Sequence, residues 1–373
     1  RNSVVASSRG DLVRILHLID VYPGSDGRCL HRQLRRTLHG LAGDGFEHVV
    51  LEVGAGDRRQ PQLPRTSGRI GTMGDRMLAN GEALQDVLDS WTHLHGRFDL
   101  VHAWGSRSIQ LRSTCDEAPP CIGTVDSIRL GATQRQSMLR LQDSCRFQLQ
   151  VGCEGVVEAL RARGLGRLDM QVRPFGVDVF DAMNVDRDRR AEWGADDDTI
   201  VFGVLGDPVG WTHLRSLLGV PARLAIGGHP IRILTHPDVY GFDLCRDWLE
   251  SMGHGDKLVV DSDLAGHRTP ISSADVLLVP GTSGRRDEVM GVLPLLWSMK
   301  AGKPVLLGHG HPAESHLVDH PDVFTAVDRD ENTATRWTLD RTSMACDVDT
   351  ECPVATEADW CDRIRCDYAS IVD

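Results

Sequence analysis

The residues best suited to chemistry are grouped between Gly281 and Gly291, in the run Gly-Thr-Ser-Gly-Arg-Arg-Asp-Glu-Val-Met-Gly. Arg285 and Arg286 bring two cations, Glu288 brings a carboxylate, and the glycines let backbone come close to a ligand. A helix that starts just beyond leaves its first N–H groups without intrahelical partners, and such groups receive anions. Together these make a site for a phosphate, with amides near Met290, Gly291 and Val292 facing it. A solvated pair on an exposed loop is the other reading of Arg285 and Arg286.

The elements that must hold this loop can be read on either side of it. Residues 276–279 are continuously apolar, as in a strand buried on both faces, and Pro280-Gly281 stops them. Beyond the loop, Leu293, Leu296 and Met299 have helical spacing, Ala301-Gly302 ends the helix, and residues 304–307 form a further strand. In open parallel sheets ligands sit beyond the carboxyl ends of strands, which is where this β-loop-α-β unit puts the loop.

The same alternation runs along the chain. Strands are expected at 12–20, 48–54, 98–104, 121–125 and 147–152, then at 200–205, 223–226, 231–235, 257–260 and 274–279. Helices are expected at 28–42, 83–95, 153–166, 242–252 and 357–368. At 373 residues one core is improbable, so the pattern predicts two doubly wound α/β domains. The charge-rich run 181–198 links them.

Composition excludes several classes. Hydrophobic content of 41% and charge of 25% are those of a globular chain, and no apolar run nears the length of a membrane span. Net charge is −12, with 23 Lys and Arg against 19 Asp and Glu in residues 1–175 and 18 against 34 in the remainder. Acidity argues against nucleic-acid binding, while the mildly basic first half leaves room for an anionic or membrane-surface acceptor. The ten cysteines contain no C-x-x-C pair. With no signal-peptide pattern, the expectation is a cytoplasmic protein with reduced thiols and no metal site.

On these residues the chain resembles the group 1 (family 4) retaining glycosyltransferases, whose fold is GT-B. The resemblance rests on the Ala-Asp-strand-Pro segment before the loop, Glu288 with Gly291, the Ala-Gly-x-Pro-Val strand, Phe-Asp-Leu-Val-His-Ala-Trp at 98–104, Arg32-Gln33, and Pro174, Gly176, Val177 and Asp178. It implies two Rossmann-like domains facing a central cleft, 1–178 on the acceptor side and 179–350 binding a nucleotide-sugar, with a terminal helix in 351–373 crossing back to the first. Implied with it are sugar transfer with retention and no obligatory metal or other cofactor. The partners implied are a nucleotide-sugar donor and a sugar or lipid-linked acceptor.

Carried over by residue, the resemblance makes Glu288 catalytic and places Gly206, Val260, Asp261, Arg285, Arg286, Met290, Gly291 and Val292 around the donor. Gly24, Gly27 and His102 fall on the acceptor side, although a plain turn at the two glycines and a satisfied core histidine are open alternatives. Several positions depart from the family. Trp297 replaces the second glutamate, Asp207 and Val209 replace the two diphosphate-binding cations, and Phe175 replaces an asparagine. Asp126 stands where a histidine is common; it could take a proton from an acceptor hydroxyl, or simply form a turn. Two functions follow: a working glycosyltransferase, or a catalytically degenerate GT-B protein that binds a nucleotide-sugar or a partner.

Overall fold

The computed structural model describes residues 12–20, 29–43, 45–53, 70–72, 84–86, 88–89, 92–93, 96–115, 119–126, 128–177, 189–205, 217–235, 242–260, 271, 273–281, 288–289, 291–317, 320–325, 331–343 and 355–372. Strands β1 (Val13–Asp20), β2 (Phe46–Val53), β3 (Ile70–Thr72), β4 (Leu100–Trp104), β5 (Cys121–Val125), β6 (Ile128–Arg129), β7 (Phe147–Val151) and β8 (Met170–Val172) belong to the first half. The second half contributes β9 (Ile200–Val204), β10 (Ile231–Thr235), β11 (Leu258–Val260), β12 (Val276–Val279), β13 (Glu288–Val289), β14 (Val305–Leu307) and β15 (Val323–Phe324).

These strands make two parallel sheets, each wound in both directions from its first strand. One has seven strands in the order β3-β2-β1-β4-β5-β7-β8, the other six in the order β11-β10-β9-β12-β14-β15. The order reverses beside β1 in one sheet and beside β9 in the other, and it is past the carboxyl ends of strands at such a reversal that open parallel sheets take ligands. A third, two-residue ladder is antiparallel and joins the two halves. In it β13 pairs with β6, Glu288 opposite Arg129 and Val289 opposite Ile128.

Helices α1 (Cys29–Gly40), α2 (Ser106–Arg112), α3 (Ala132–Ser144) and α4 (Glu154–Leu160) accompany the first sheet. Helices α5 (Gly219–Ile226), α6 (Phe242–Ser251), α7 (Leu293–Lys300) and α8 (Glu331–Ser343) accompany the second, and α9 (Glu357–Val372) closes the chain. The apolar runs read as buried strands are buried: all of β4, β5, β12 and β14. One expectation fails. Residues 223–226 are the end of helix α5, not a strand, because four residues are too few to tell a strand's period from a helix's. Val220, Ala222, Leu224 and Ala225 are buried while Arg223 and Ile226 are exposed, the three-residue spacing of a helix face.

Helix α9 lies against the first sheet. Trp360 Nε1 donates to Thr37 Oγ1 of α1 (2.9 Å), Tyr368 OH bonds His102 of β4 (2.6 Å), and Arg173, just past β8, makes a two-pronged bond to Asp367 (2.7 Å on each oxygen). Phe175 packs on Trp360 with ring centroids 5.3 Å apart, so the residue standing in place of an asparagine serves as an apolar seat for this helix. Among the described residues no helix is long and apolar enough to cross a membrane.

Candidate functional site

The loop after β12 begins with a close approach of backbones. A Cβ on Gly281 would run into the carbonyls of Gly308 and His309, so the carboxyl ends of β12 and β14 meet at a spacing that only glycine permits. Gly308 N–H then donates to Val279 O at 2.9 Å. Thirteen residues on from Pro280, α7 starts at Leu293 with Pro294 in its first turn, where the missing N–H costs nothing.

The start of α7 carries the central contact between the halves. Asp126, which follows β5 of the first sheet, places Oδ1 2.7 Å from Val292 N and 3.3 Å from Leu293 N. Its side chain is 1% exposed. A carboxylate from one domain thus receives the first amides of a helix in the other, where unpaired N–H groups and the helix dipole favour negative charge. The β6–β13 ladder lies beside it, and Val292 packs against Gly152, at the end of β7. Gly155 in α4 is pressed against the carbonyl of Pro312, where any side chain would collide.

Behind these amides the turn is braced by His311. Its Nδ1 accepts from Ala313 N–H (3.1 Å), which leaves Nε2 carrying the proton, and Nε2–H donates to Gly291 O (3.0 Å). Burial pushes the His311 imidazole down to about 4, against the opposing pull of the Gly291 carbonyl and Glu314, so the ring is neutral. Glu314 in turn accepts from Gly310 N (2.7 Å) and pairs with His309 (3.1 Å).

The structure brings some of the expected residues together and separates others. Asp126, Gly291 and Val292 converge at the seam, and the backbone of Glu288 is fixed there by its pairing with Arg129. Val260 ends β11 and is 44% exposed. His102 is moved off the acceptor side: it is wholly buried, with one ring nitrogen on Tyr368 and the other on Thr124 (2.7 Å), so the core alternative describes it. Trp297 likewise leaves the donor group, being 3% exposed and packed in the core under α7. Gly24, Gly27, Gly206, Asp207, Val209, Asp261, Arg285, Arg286 and Met290 lie outside the described residues.

His311 was not anticipated from the sequence. The signal that could have found it is the polar, glycine-containing run Gly-His-Gly-His-Pro-Ala-Glu straight after a buried strand, at the same sheet edge as the Gly281–Gly291 loop. No group of three His, Cys, Asp or Glu among the described residues is arranged to hold a metal ion.

Comparison with known proteins gives the fold. No family model matches the chain, and none of the curated proteins does. Solved structures do, over nearly their full lengths. Sucrose-phosphate synthase from Thermosynechococcus elongatus aligns with a TM-score of 0.65 at 14% identity, covering 96% of each chain. Anabaena HepE in complex with UDP and glucose aligns with a TM-score of 0.68 at 13% identity, covering 95% of this chain and 99% of that one. WaaG, a glycosyltransferase involved in lipopolysaccharide biosynthesis, aligns at 0.62 and 14%, covering 94% and 99%. The chain therefore has the GT-B fold: two parallel, doubly wound sheets with flanking helices.

Proposed function

We propose that this protein transfers a sugar from a nucleotide-sugar to an acceptor hydroxyl, with retention of configuration and without a required metal. The observation that carries the reading is the start of α7. Its first amides lie at the seam between the halves and already hold a carboxylate, so the spot selects anions. A donor's diphosphate is the ligand of that chemistry expected past the carboxyl edge of such a sheet. The two residues bonded there come from different domains, which suits a donor held by the second half and an acceptor, sugar or lipid-linked, approaching from the first.

In this mechanism Asp126 and the donor share the amides of Val292 and Leu293 in turn. Donor binding lifts the carboxylate from them, and Asp126, freed within the seam, faces the acceptor hydroxyl as a proton acceptor. Glu288, paired in the ladder with Arg129 of the first half, contacts the transferred sugar. Closure around the two substrates removes water, which strengthens every charge–dipole interaction there and suppresses hydrolysis.

A second reading draws on the same contact. If Asp126 never leaves, it permanently fills the place of a ligand, and the protein is a binding module on the GT-B fold. Thermal unfolding with UDP, UDP-glucose, GDP and ADP decides between them. UDP and UDP-glucose head the panel because HepE was solved with each of them. A nucleotide at a hundred times its Kd adds about 2.7 kcal/mol of stability. Stabilisation by one nucleotide, with slow hydrolysis of its sugar conjugate that Glu288→Ala abolishes, is the expected result; no shift with any of the four overturns the transferase reading.

A further inference from the structure

We infer that His311 is a positioning residue for the donor site: its Nε2–H, bonded to the Gly291 carbonyl, sets the turn that aims the amides of Val292 and Leu293 into the seam. The inference rests on the reading of those amides as the donor's anion site. Three observations carry it. The Nδ1 of His311 accepts from Ala313 N–H, which leaves the ring's only proton on Nε2, opposite a carbonyl that can only accept. Gly291 immediately precedes the two amides that meet Asp126. The ring is itself held from behind, since it is 3% exposed and the neighbouring Pro312 carbonyl is wedged against Gly155 of the first domain.

The peptide between Gly291 and Val292 is rigid and planar, so the direction of the Gly291 carbonyl dictates the direction of the Val292 N–H on the opposite side of the same peptide. A donor gripping that oxygen therefore points that N–H the other way, toward Asp126. Without the grip the peptide can rotate, and the Val292 amide loses its aim. His311 touches neither substrate nor reacting atoms in this arrangement; it acts through the peptide.

Two substitutions separate this role from simple packing. Asparagine at 311 keeps an acceptor near the Nδ1 position, preserving the Ala313 turn, but does not reach Gly291. Glutamine places an N–H near the Nε2 position and restores the bond to the carbonyl. The experiment measures hydrogen exchange over residues 288–296 by mass spectrometry in the full chain, together with binding of UDP and UDP-glucose by calorimetry. His311→Asn is expected to speed exchange in this segment and weaken nucleotide binding, each by about tenfold, the equivalent of one lost hydrogen bond. His311→Gln is expected to return both to within about twofold of wild type.

Equal loss in both variants, or no loss in His311→Asn, overturns the inference. If wild type binds neither ligand, the donor reading fails and the positioning role toward that site fails with it. Exchange that still separates Asn from Gln then shows that the turn is set by His311 while the ligand was misassigned, so the two failures are told apart.

Discussion

The phenol of Tyr368 bonds His102 Nδ1 over 2.6 Å, joining the last helix to the centre of the first sheet across 266 residues of chain. The direction of each bond in this buried row can be worked out from its far end. Asp367 only accepts, so Gln150 donates to it through Nε2 (2.8 Å) and turns Oε1 to Thr124, whose hydroxyl donates there (3.1 Å). Thr124 then accepts from His102 Nε2–H (2.7 Å), which leaves Nδ1 bare for the Tyr368 proton. His17 joins the cluster by accepting from Trp104 Nε1 at Nδ1 (3.1 Å) and donating from Nε2 to His48 (2.9 Å).

Tyr368→Phe removes the donor while leaving a buried ring nitrogen without it. The expected loss is about 1–3 kcal/mol of unfolding free energy, the cost of an unsatisfied buried acceptor. Urea unfolding measures it, and a loss under about 0.5 kcal/mol would mean that the row contributes little.

Arg173 and Asp367 anchor the same helix through two charge-assisted bonds at the edge of the core. Asp367→Asn keeps the volume but removes the charge, for an expected cost of about 1.5–3 kcal/mol. Limited proteolysis should then cut the chain near α9 before it cuts elsewhere; an unchanged pattern counts against the anchor.

Acid should weaken the fold earlier than carboxylate protonation alone would. Burial holds the imidazoles of His17 and His102 well below their ordinary value, with neighbouring histidines adding to the effect, and holds His311 near 4. The unfolded chain binds these protons at about 6.5, the folded chain only at lower pH, so the stabilisation is present above pH 6.5 and drains as pH falls toward the folded values. Between pH 6.5 and 5.5 each histidine removes roughly 1 kcal/mol. Denaturant midpoints at the two pH values test this; equal midpoints would contradict it.

Asp126→Ala empties the amides at the start of α7. Loss of this inter-domain cap should cost about 0.5–2 kcal/mol without ligand. On the proposed transferase reading, nucleotide affinity should rise, because the carboxylate that would compete is gone, while transfer to an acceptor falls. Weaker nucleotide binding in this variant would show that Asp126 and the donor do not compete.

Gly155→Ala drives a methyl group into the Pro312 carbonyl and must separate the halves or shift α4. The expected cost is about 1–3 kcal/mol, with a larger radius of gyration in solution scattering. A variant of unchanged size and stability would mean that the seam yields easily.

What could be read in the chain was the local order of its elements. Buried strands such as Val276–Val279 announce themselves because parallel strands covered on both faces are apolar throughout, and Pro280-Gly281 marks where that strand stops. Glu288 and Gly291 could be singled out as candidates because loop chemistry is also local. The strand expected at 223–226 failed because four residues are too few to fix a period; the exposed Arg223 and Ile226 show a helical one only within the whole of Gly219–Ile226. Only the tertiary structure could decide what His102, Trp297, Asp126 and His311 do. A histidine or carboxylate takes its role from the group that meets it, and here those groups are 266, 166 and 20 residues away for His102, Asp126 and His311. Residue type proposes a chemistry, and the partner brought in by folding determines whether that chemistry faces a ligand or the protein's own backbone.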